Sequence, residues 1–462
     1  MKLRDGRLGV CGRVSASQVR KWWAVLLLMS PKYAICIGQL SQQFHCVIPP
    51  YAESMFFGRT RTLQTGADDE SRPRLSRDAY VLGVVAFFVM VGFGVVVPVL
   101  PVYARSFGVG FLEVGAIISA FALMRFVASP FVGRLIDLAG ERVILTIGIA
   151  IVAVSSALSG FAQDYLHLLL MRGIGGVGSA MFSVSAMTLL LGSSAPSLRA
   201  RSVGFYQAGF LIGGMAGPAI GGLLAAISLR APFFFYAGTL AVAGLVGAIL
   251  LRNTRAASAA EAAAATARRT PLRTVLRDSR FQAACVANFS TGWTSFGVRS
   301  ALVPLLIVEV LREPSLWTGI AFAAAAVAQT VALAPAARFV DTVGRRPAII
   351  GAYLAAGLVI VAVPFSPNVG ILTVLLCLYG VAAAFMGTAP AAAVGDAAGA
   401  GGGRPVAVFS MFSDFGAIVG PLAAGFLADT VSYPVAFMVG AALLFVTSAF
   451  AFRMPRVVPA AI

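Results

Sequence analysis

The sequence predicts an all-α membrane protein whose twelve transmembrane helices form two pseudo-symmetric six-helix bundles, and three observations predict it. The 462-residue chain is 59% hydrophobic and only 11% charged, against about 25% charged in an average soluble domain. Its mean hydropathy is +0.89, so it lacks the charge to cover a water-facing surface. Second, apolar runs close to the ~20 residues that cross a bilayer core recur twelve times. Third, landmarks of the first six runs return in the last six, offset by 203 or 204 residues.

Residues 1–78 precede the first run and differ in composition from the rest of the chain. All three Lys of the chain (Lys2, Lys21, Lys32), three of its five Cys (Cys11, Cys36, Cys46) and the pair Trp22 and Trp23 lie there. The apolar stretch 22–29 is too short to span, is interrupted by Pro31 and Lys32, and lacks the small-residue cleavage pattern of a secretory signal. This segment is expected to be either a disordered cytoplasmic extension or an over-called start with Met55 as the true initiator. Spans 79–102, 111–131, 143–162, 165–191, 202–226 and 231–251 then build an N-terminal bundle, 79–251. They are apolar on all faces and dotted with Gly and Pro, as buried or lipid-facing helices are, and show no strand-like alternation.

An Ala-rich basic linker, 252–282, divides the spans six and six and carries Arg252, Arg255, Arg268, Arg269, Arg273, Arg277 and Arg280, suited to anionic headgroups. Spans 283–307, 316–336, 347–365, 369–393, 406–428 and 433–452 form the C-terminal bundle, 283–452, and 453–462 is a short tail.

The net charge of +17 invites a nucleic-acid partner, but the placement of Arg argues otherwise. With the N-terminal segment cytoplasmic, seventeen Arg fall on that side, against Arg105, Arg230 and Arg312 opposite. This positive-inside bias predicts that both termini and the linker are cytoplasmic, and it argues against a nucleic-acid partner; the expected location of this multi-pass chain is a plasma (bacterial inner) membrane. The Cys show no CxxC pairing, and His45 and His167 are the only His, so neither metal nor cofactor is expected. A membrane enzyme would need His, Asp, Ser or Cys clustered at a membrane face, and the sequence has no such cluster.

The duplication is specific. GRLIDLAGER around Asp137 returns as ARFVDTVGRR around Asp341, an offset of 204, while Gly217-Pro218 returns as Gly420-Pro421 and Pro101 as Pro304, an offset of 203. Two similar bundles predict a substrate site between them near the midplane, opened alternately by rocking of one half on the other. In the turn after span 2, Gly140 permits a tight backbone and Asp137 and Arg142 are placed to form an ion pair near helix ends.

Residues 133–142 match the G-x-L-x-D-x-x-G-x-R signature of the major facilitator superfamily, which the chain resembles from Ala79 to Phe452. The resemblance implies a twelve-helix transporter in which Gly133, Asp137, Gly140 and Arg142, with Asp341, Gly344 and Arg346 in the second copy, gate the cytoplasmic side. Span 5 carries Gly213-x-x-x-Gly217-Pro218-x-x-Gly221-Gly222, repeated in span 11 around Gly420-Pro421. On spacing alone this is small-residue packing. It also resembles the antiporter motif of the drug/proton efflux branch. Arg172 lies in a span-4 segment similar to one whose Arg that family links to proton coupling, and an Arg inside a span needs water, an acid or a carbonyl partner.

Few other charges lie within spans. Arg125, Arg299 and Asp414 are the principal ones, and span 1 has no acid, unlike many relatives in the resembled branch. Asp414 is therefore the first candidate for a protonatable group, ahead of Glu113. Arg125, Arg299, Tyr206, Gln207 and Asn288 are candidate cavity residues. Phe93, Phe121, Phe210, Trp293, Phe296, Tyr379 and Phe385 also lie in spans, where core packing is the commoner fate. The expected function is proton-coupled efflux of small hydrophobic or amphipathic compounds by a monomer. The alternative is import or export of an anionic metabolite or a sugar-like solute.

Overall fold

A computed structural model describes residues 75–194, 198–251, 272–398 and 403–455. The predicted extension 1–78 lies outside the described residues apart from its last four positions, as do most of the linker and the end of the tail.

Twelve helices long and apolar enough to cross a membrane are present among the described residues, and no strand is. They are α1 (Arg77–Val96), α2 (Phe111–Ala139), α3 (Glu141–Gly160), α4 (Tyr165–Ser193), α5 (Arg199–Ile227) and α6 (Ala231–Leu250) in the first half. The second half comprises α7 (Ser279–Val310), α8 (Ser315–Thr342), α9 (Arg345–Ala362), α10 (Val369–Ala398), α11 (Gly403–Thr430) and α12 (Tyr433–Phe450). Local chemistry sets several of the starts. Ser76, Asp164 and Asp278 accept backbone N–H bonds at the openings of α1, α4 and α7, and Pro stands in the first turn of α6 and α12.

Helix α2 outlasts its apolar run because nothing breaks it before Gly140, where φ reaches +86°. Gly344, 204 residues later, has φ +118° at the start of α9. Both turns use backbone conformations that favour Gly, so the duplication extends to backbone sterics.

The first predicted span is not one continuous helix. Residues 97–99 form a turn, and a short helix, Leu100–Arg105, resumes beyond it. Pro98 and Pro101 remove two N–H donors in close succession. In the equivalent α7, Pro304 stands alone and the helix stays continuous, widening into π-helical turns at Trp293–Ser300 and Leu306–Val310.

Packing repeats the sequence symmetry. In the first half α1 lies along α5 and α6, α2 along α4, and α3 along α4 and α6; in the second, α7 lies along α11 and α12, α8 along α10, and α9 along α10 and α12. Each half has its own main core, one centred on Leu82, Ile117, Leu145, Leu189 and Phe233, the other on Phe281, Ile349, Tyr353, Tyr379 and Phe437. The halves meet chiefly along α2 with α11 and α5 with α8. Large apolar side chains such as Val331 and Leu245 stand on the outside, 70% and 61% exposed, which only lipid would cover favourably.

Candidate functional site

The Gly140 and Gly344 turns mark the basic end of the molecule, and the opposite end is its far end. Between the halves lies a cavity of about 200 Å³. Its wall is mostly apolar and aromatic, with Phe93, Phe121, Phe182, Phe210, Phe296 and Tyr236, and its charged members are Arg125 and Arg172. Helices α1, α2, α4, α5 and α6 supply most of the wall, while α7 adds Phe296 and Ser300 and α11 adds Ala417.

Arg172 is held inside by close helix packing. A Cβ on Gly176 would collide with the Phe121 carbonyl, and Gly178 and Gly148 pack reciprocally against each other's carbonyls, so α4 sits tight against α2 and α3. The Arg172 guanidinium lies 4.6 Å from the centre of the Phe121 ring, and the residue is 5% exposed. Its Nε is buried without a hydrogen-bond partner, and no acid pairs with it among the described residues.

Arg125 has a different environment. It forms an ion pair with Asp414, tying α2 of one half to α11 of the other, with side chains 32% and 25% exposed. Nearer the far end, the Ser119 hydroxyl donates to the Ile418 carbonyl at 2.6 Å, a second tie between the same helices.

The remaining cavity candidates stand elsewhere. Tyr206 is buried against Phe210 in the first-half core, and Gln207 is exposed. Asn288 donates to the Phe409 carbonyl at 2.7 Å, joining α7 to α11 within one half. Arg299 lies beside the Phe322 and Tyr379 rings, 5.5 and 5.7 Å from their centres, inside the second half. Of these five residues only Arg125 is in the cavity wall, because residence in a span says nothing about which way a helix face turns. Phe182 belongs to the wall although it is not among the residues expected there from sequence.

The far end is closed by direct contact between halves. Arg105, at the end of the short helix after α1, makes a two-point ion pair with Glu309 of α7 at 2.7 and 3.1 Å and lies 4.7 Å from the centre of the Phe111 ring. The Glu309 hydrogen bond raises the Arg105 pKa further above its ordinary value. Asp429 of α11 accepts from the Phe111 and Leu112 N–H groups at 3.0 and 2.7 Å, so an acid of one half caps a helix N-terminus of the other. Glu113 stands in that same first turn of α2 and is not in the cavity wall.

The glycine-proline motif presents two faces. Gly213, Gly217 and Gly221 leave no room for a Cβ against the α1 backbone, as Gly416 and Gly420 do against α7. Toward the other half, a Cβ on Gly319 of α8 would lie 2.5 Å from Gly222 Cα and 2.6 Å from the Pro218 carbonyl oxygen. Its symmetry counterpart Gly115 of α2 is pressed in the same way against the Pro421 carbonyl.

At the basic end the hydrogen bonds and ion pairs of each signature turn stay within its own half among the described residues. Asp137 makes no ion pair there, and Arg142 donates instead to the Ala248 carbonyl of α6. A Cβ on Gly133 would meet open space. In the second copy Arg345 forms an ion pair with Asp396 of α10 at 2.9 Å and lies 3.9 Å from Asp341, whereas Arg346 sits over the Phe452 ring. The pairing thus shifts by one residue, because successive helical positions point about 100° apart. Described hydrogen bonds and ion pairs join the halves only from the depth of Arg125–Asp414 to the far end.

A family model described as Major Facilitator Superfamily matches residues 82–327 and 285–461. The chain is 33% identical over 177 residues, 38% of its length and 45% of the relative's, to the quinolone resistance protein NorA of Staphylococcus aureus. It is 29% identical over 167 residues, 36% of its length and 43% of the relative's, to multidrug resistance protein 1 of Bacillus subtilis. These matches span less than half of each relative. The structure resembles that of the nucleoside transporter NupG with a TM-score of 0.67 at 13% identity, covering 82% of this chain and 100% of that one, a likeness of fold.

Proposed function

The chain belongs to the major facilitator superfamily of membrane transporters, and from that premise we propose that it exports small hydrophobic or amphipathic compounds in exchange for protons by alternating access. The observation that carries this reading is the Arg125–Asp414 ion pair, which links the two halves at the cavity wall. Protonation of Asp414 removes the charge that Arg125 compensates. The conformer in which the halves meet at this depth and the conformer in which they part then differ in proton occupancy, and a proton gradient biases the exchange between them.

The names of the two partial relatives, a quinolone resistance protein and a multidrug resistance protein, support drug-type export, as does the aromatic wall. With the basic end cytoplasmic, as the Arg distribution favours, the far-end contacts close the outside and the conformer faces inward. The chain then works as a monomer in a bacterial inner membrane, with the small-molecule substrate, protons and lipid as its partners. Gating belongs to the Asp137 and Asp341 turns, and proton coupling to Asp414 ahead of Glu113.

Uptake of a quinolone into inside-out proteoliposomes under an imposed pH gradient tests this. The wild type should accumulate the compound, and collapse of the gradient should abolish accumulation. Asp414→Asn should retain only downhill movement. Accumulation that survives loss of the gradient overturns proton coupling. Import or export of an anionic metabolite is the second reading, favoured by the unpaired Arg172, and the direction of movement in oriented vesicles tells import from export.

A further inference from the structure

The cavity wall contains two guanidinium groups, Arg125 and Arg172, and no acid. Asp414 reaches one of them, Arg125, from α11. The other is more than nine-tenths buried, has an unpartnered Nε, and lies against the face of an aromatic ring. A charge with no acidic partner among the described residues is strongly unfavourable at such a site, and a ring face compensates only a part of that. The cavity is therefore one negative group short of neutrality. Arg172, Ser179 and Ser183 share one face of α4, at spacings of seven and four residues, and all three are in the wall. Around them stand Phe93, Phe121 and Phe182, with Phe93 and Phe121 ring centres 6.1 Å apart.

We propose that Arg172 is the anion-binding residue of this cavity and that the preferred substrates carry an aromatic body with a single negative oxyacid group. The guanidinium takes the oxyanion through charge-assisted hydrogen bonds, two of them where the geometry is bidentate. The rings take the apolar body. A lipophilic cation of the same shape meets the uncompensated charge of Arg172 and is disfavoured. This assignment makes Arg172 a specificity residue that touches substrate and leaves the proton to Asp414. It rests on the transporter reading only in taking the cavity as the substrate site.

The test is equilibrium binding to the purified full-length chain in lipid nanodiscs with three probes of one shape: 2-anthroate, its methyl ester and 2-(aminomethyl)anthracene. The wild type should bind the carboxylate at least tenfold more tightly than the ester, with the ammonium weakest. In Arg172→Gln the carboxylate-to-ester ratio should fall toward one, and Arg172→Lys should restore part of it. A ratio, unlike an absolute affinity, is insensitive to a loss of correctly folded protein. Equal wild-type affinity for carboxylate and ester, or an unchanged ratio in Arg172→Gln, overturns the proposal. If the ester is nevertheless accumulated by inside-out proteoliposomes under a pH gradient, proton-coupled export stands without the anion site. If none of the three is bound or moved, both fall.

Discussion

Arg105 and Glu309 lie 204 residues apart, the same offset that relates Asp137 to Asp341, and meet in a two-point ion pair at the far end. Near-equivalent positions of the two halves thus carry opposite charges and close on each other across the pseudo-symmetry axis. Two like charges there would repel, so the duplicated halves had to diverge at this position for the contact to hold.

The first prediction concerns this pair. Its side chains are 29% and 33% exposed, so the contact contributes about 0–1 kcal/mol, up to roughly a fivefold change in a conformational equilibrium. Glu309→Gln should raise the labelling rate of a cysteine placed at Ile118, in the cavity wall, by an impermeant thiol reagent added from the far side. The exchange Arg105→Glu with Glu309→Arg should bring the rate back down. The five native Cys (Cys11, Cys36, Cys46, Cys285 and Cys377) should first be replaced by Ala to keep the signal specific.

Backbone crossings at the same end should matter more than the ion pair. Gly319→Ala places a methyl 2.5 Å from Gly222 Cα and 2.6 Å from the Pro218 carbonyl oxygen, and neither backbone atom can swing away. Overpacking of this kind costs about 1–3 kcal/mol. Gly319→Ala and its counterpart Gly115→Ala should each shift the protein toward a far-end-open conformer, read as lengthened spin-label distances between α5 and α8 or between α2 and α11. Unchanged distances in both variants would show that these crossings do not hold the end closed.

A double-mutant cycle addresses Arg125 and Asp414. Both are partly exposed, 32% and 25%, so the penalty for removing one partner should fall below the 3–5 kcal/mol of a fully buried pair, at about 1–2 kcal/mol. Arg125→Ala and Asp414→Ala should each lower the thermal unfolding midpoint in detergent, and the double variant should lose less than the sum. Strict additivity would mean that the two charges are not energetically coupled.

At the basic end, Arg345→Ala should reduce stability more than Arg346→Ala. Arg345 pairs with Asp396 at 2.9 Å and neighbours Asp341, while Arg346 makes no ion pair among the described residues and lies over the Phe452 ring, 5.7 Å from its centre. The expected difference is about 0.5–1 kcal/mol, measurable as relative unfolding midpoints of the two variants. Equal midpoints would deny the Asp396 contact its role.

Part of the architecture is legible in local quantities. The twelve helices, their division six and six, and the Gly140 and Gly344 turns depend on apolar length, hydrogen-bonding capacity and allowed φ. A polypeptide carries those quantities wherever it packs. The break after Val96 is hidden inside an apolar run that reads as one helix, although Pro98 and Pro101 announce it. Of the in-span charges, Arg125, Arg172 and Asp414 meet at or beside the cavity, while Arg299 turns into the second-half core.

The sequence by itself determined that the chain crosses a membrane twelve times as a duplicated unit, since hydrophobic length and repeat offset need no partner to be read. Only the tertiary structure decided which charges meet. Arg125 finds Asp414 across 289 residues, Arg105 finds Glu309 across 204, and Arg172 finds no acid among the described residues. Whether two distant side chains touch depends on the rotation and depth of each helix against its neighbours. Those are set by close crossings such as Gly176 on Phe121 and Gly319 on Gly222, summed over the whole bundle.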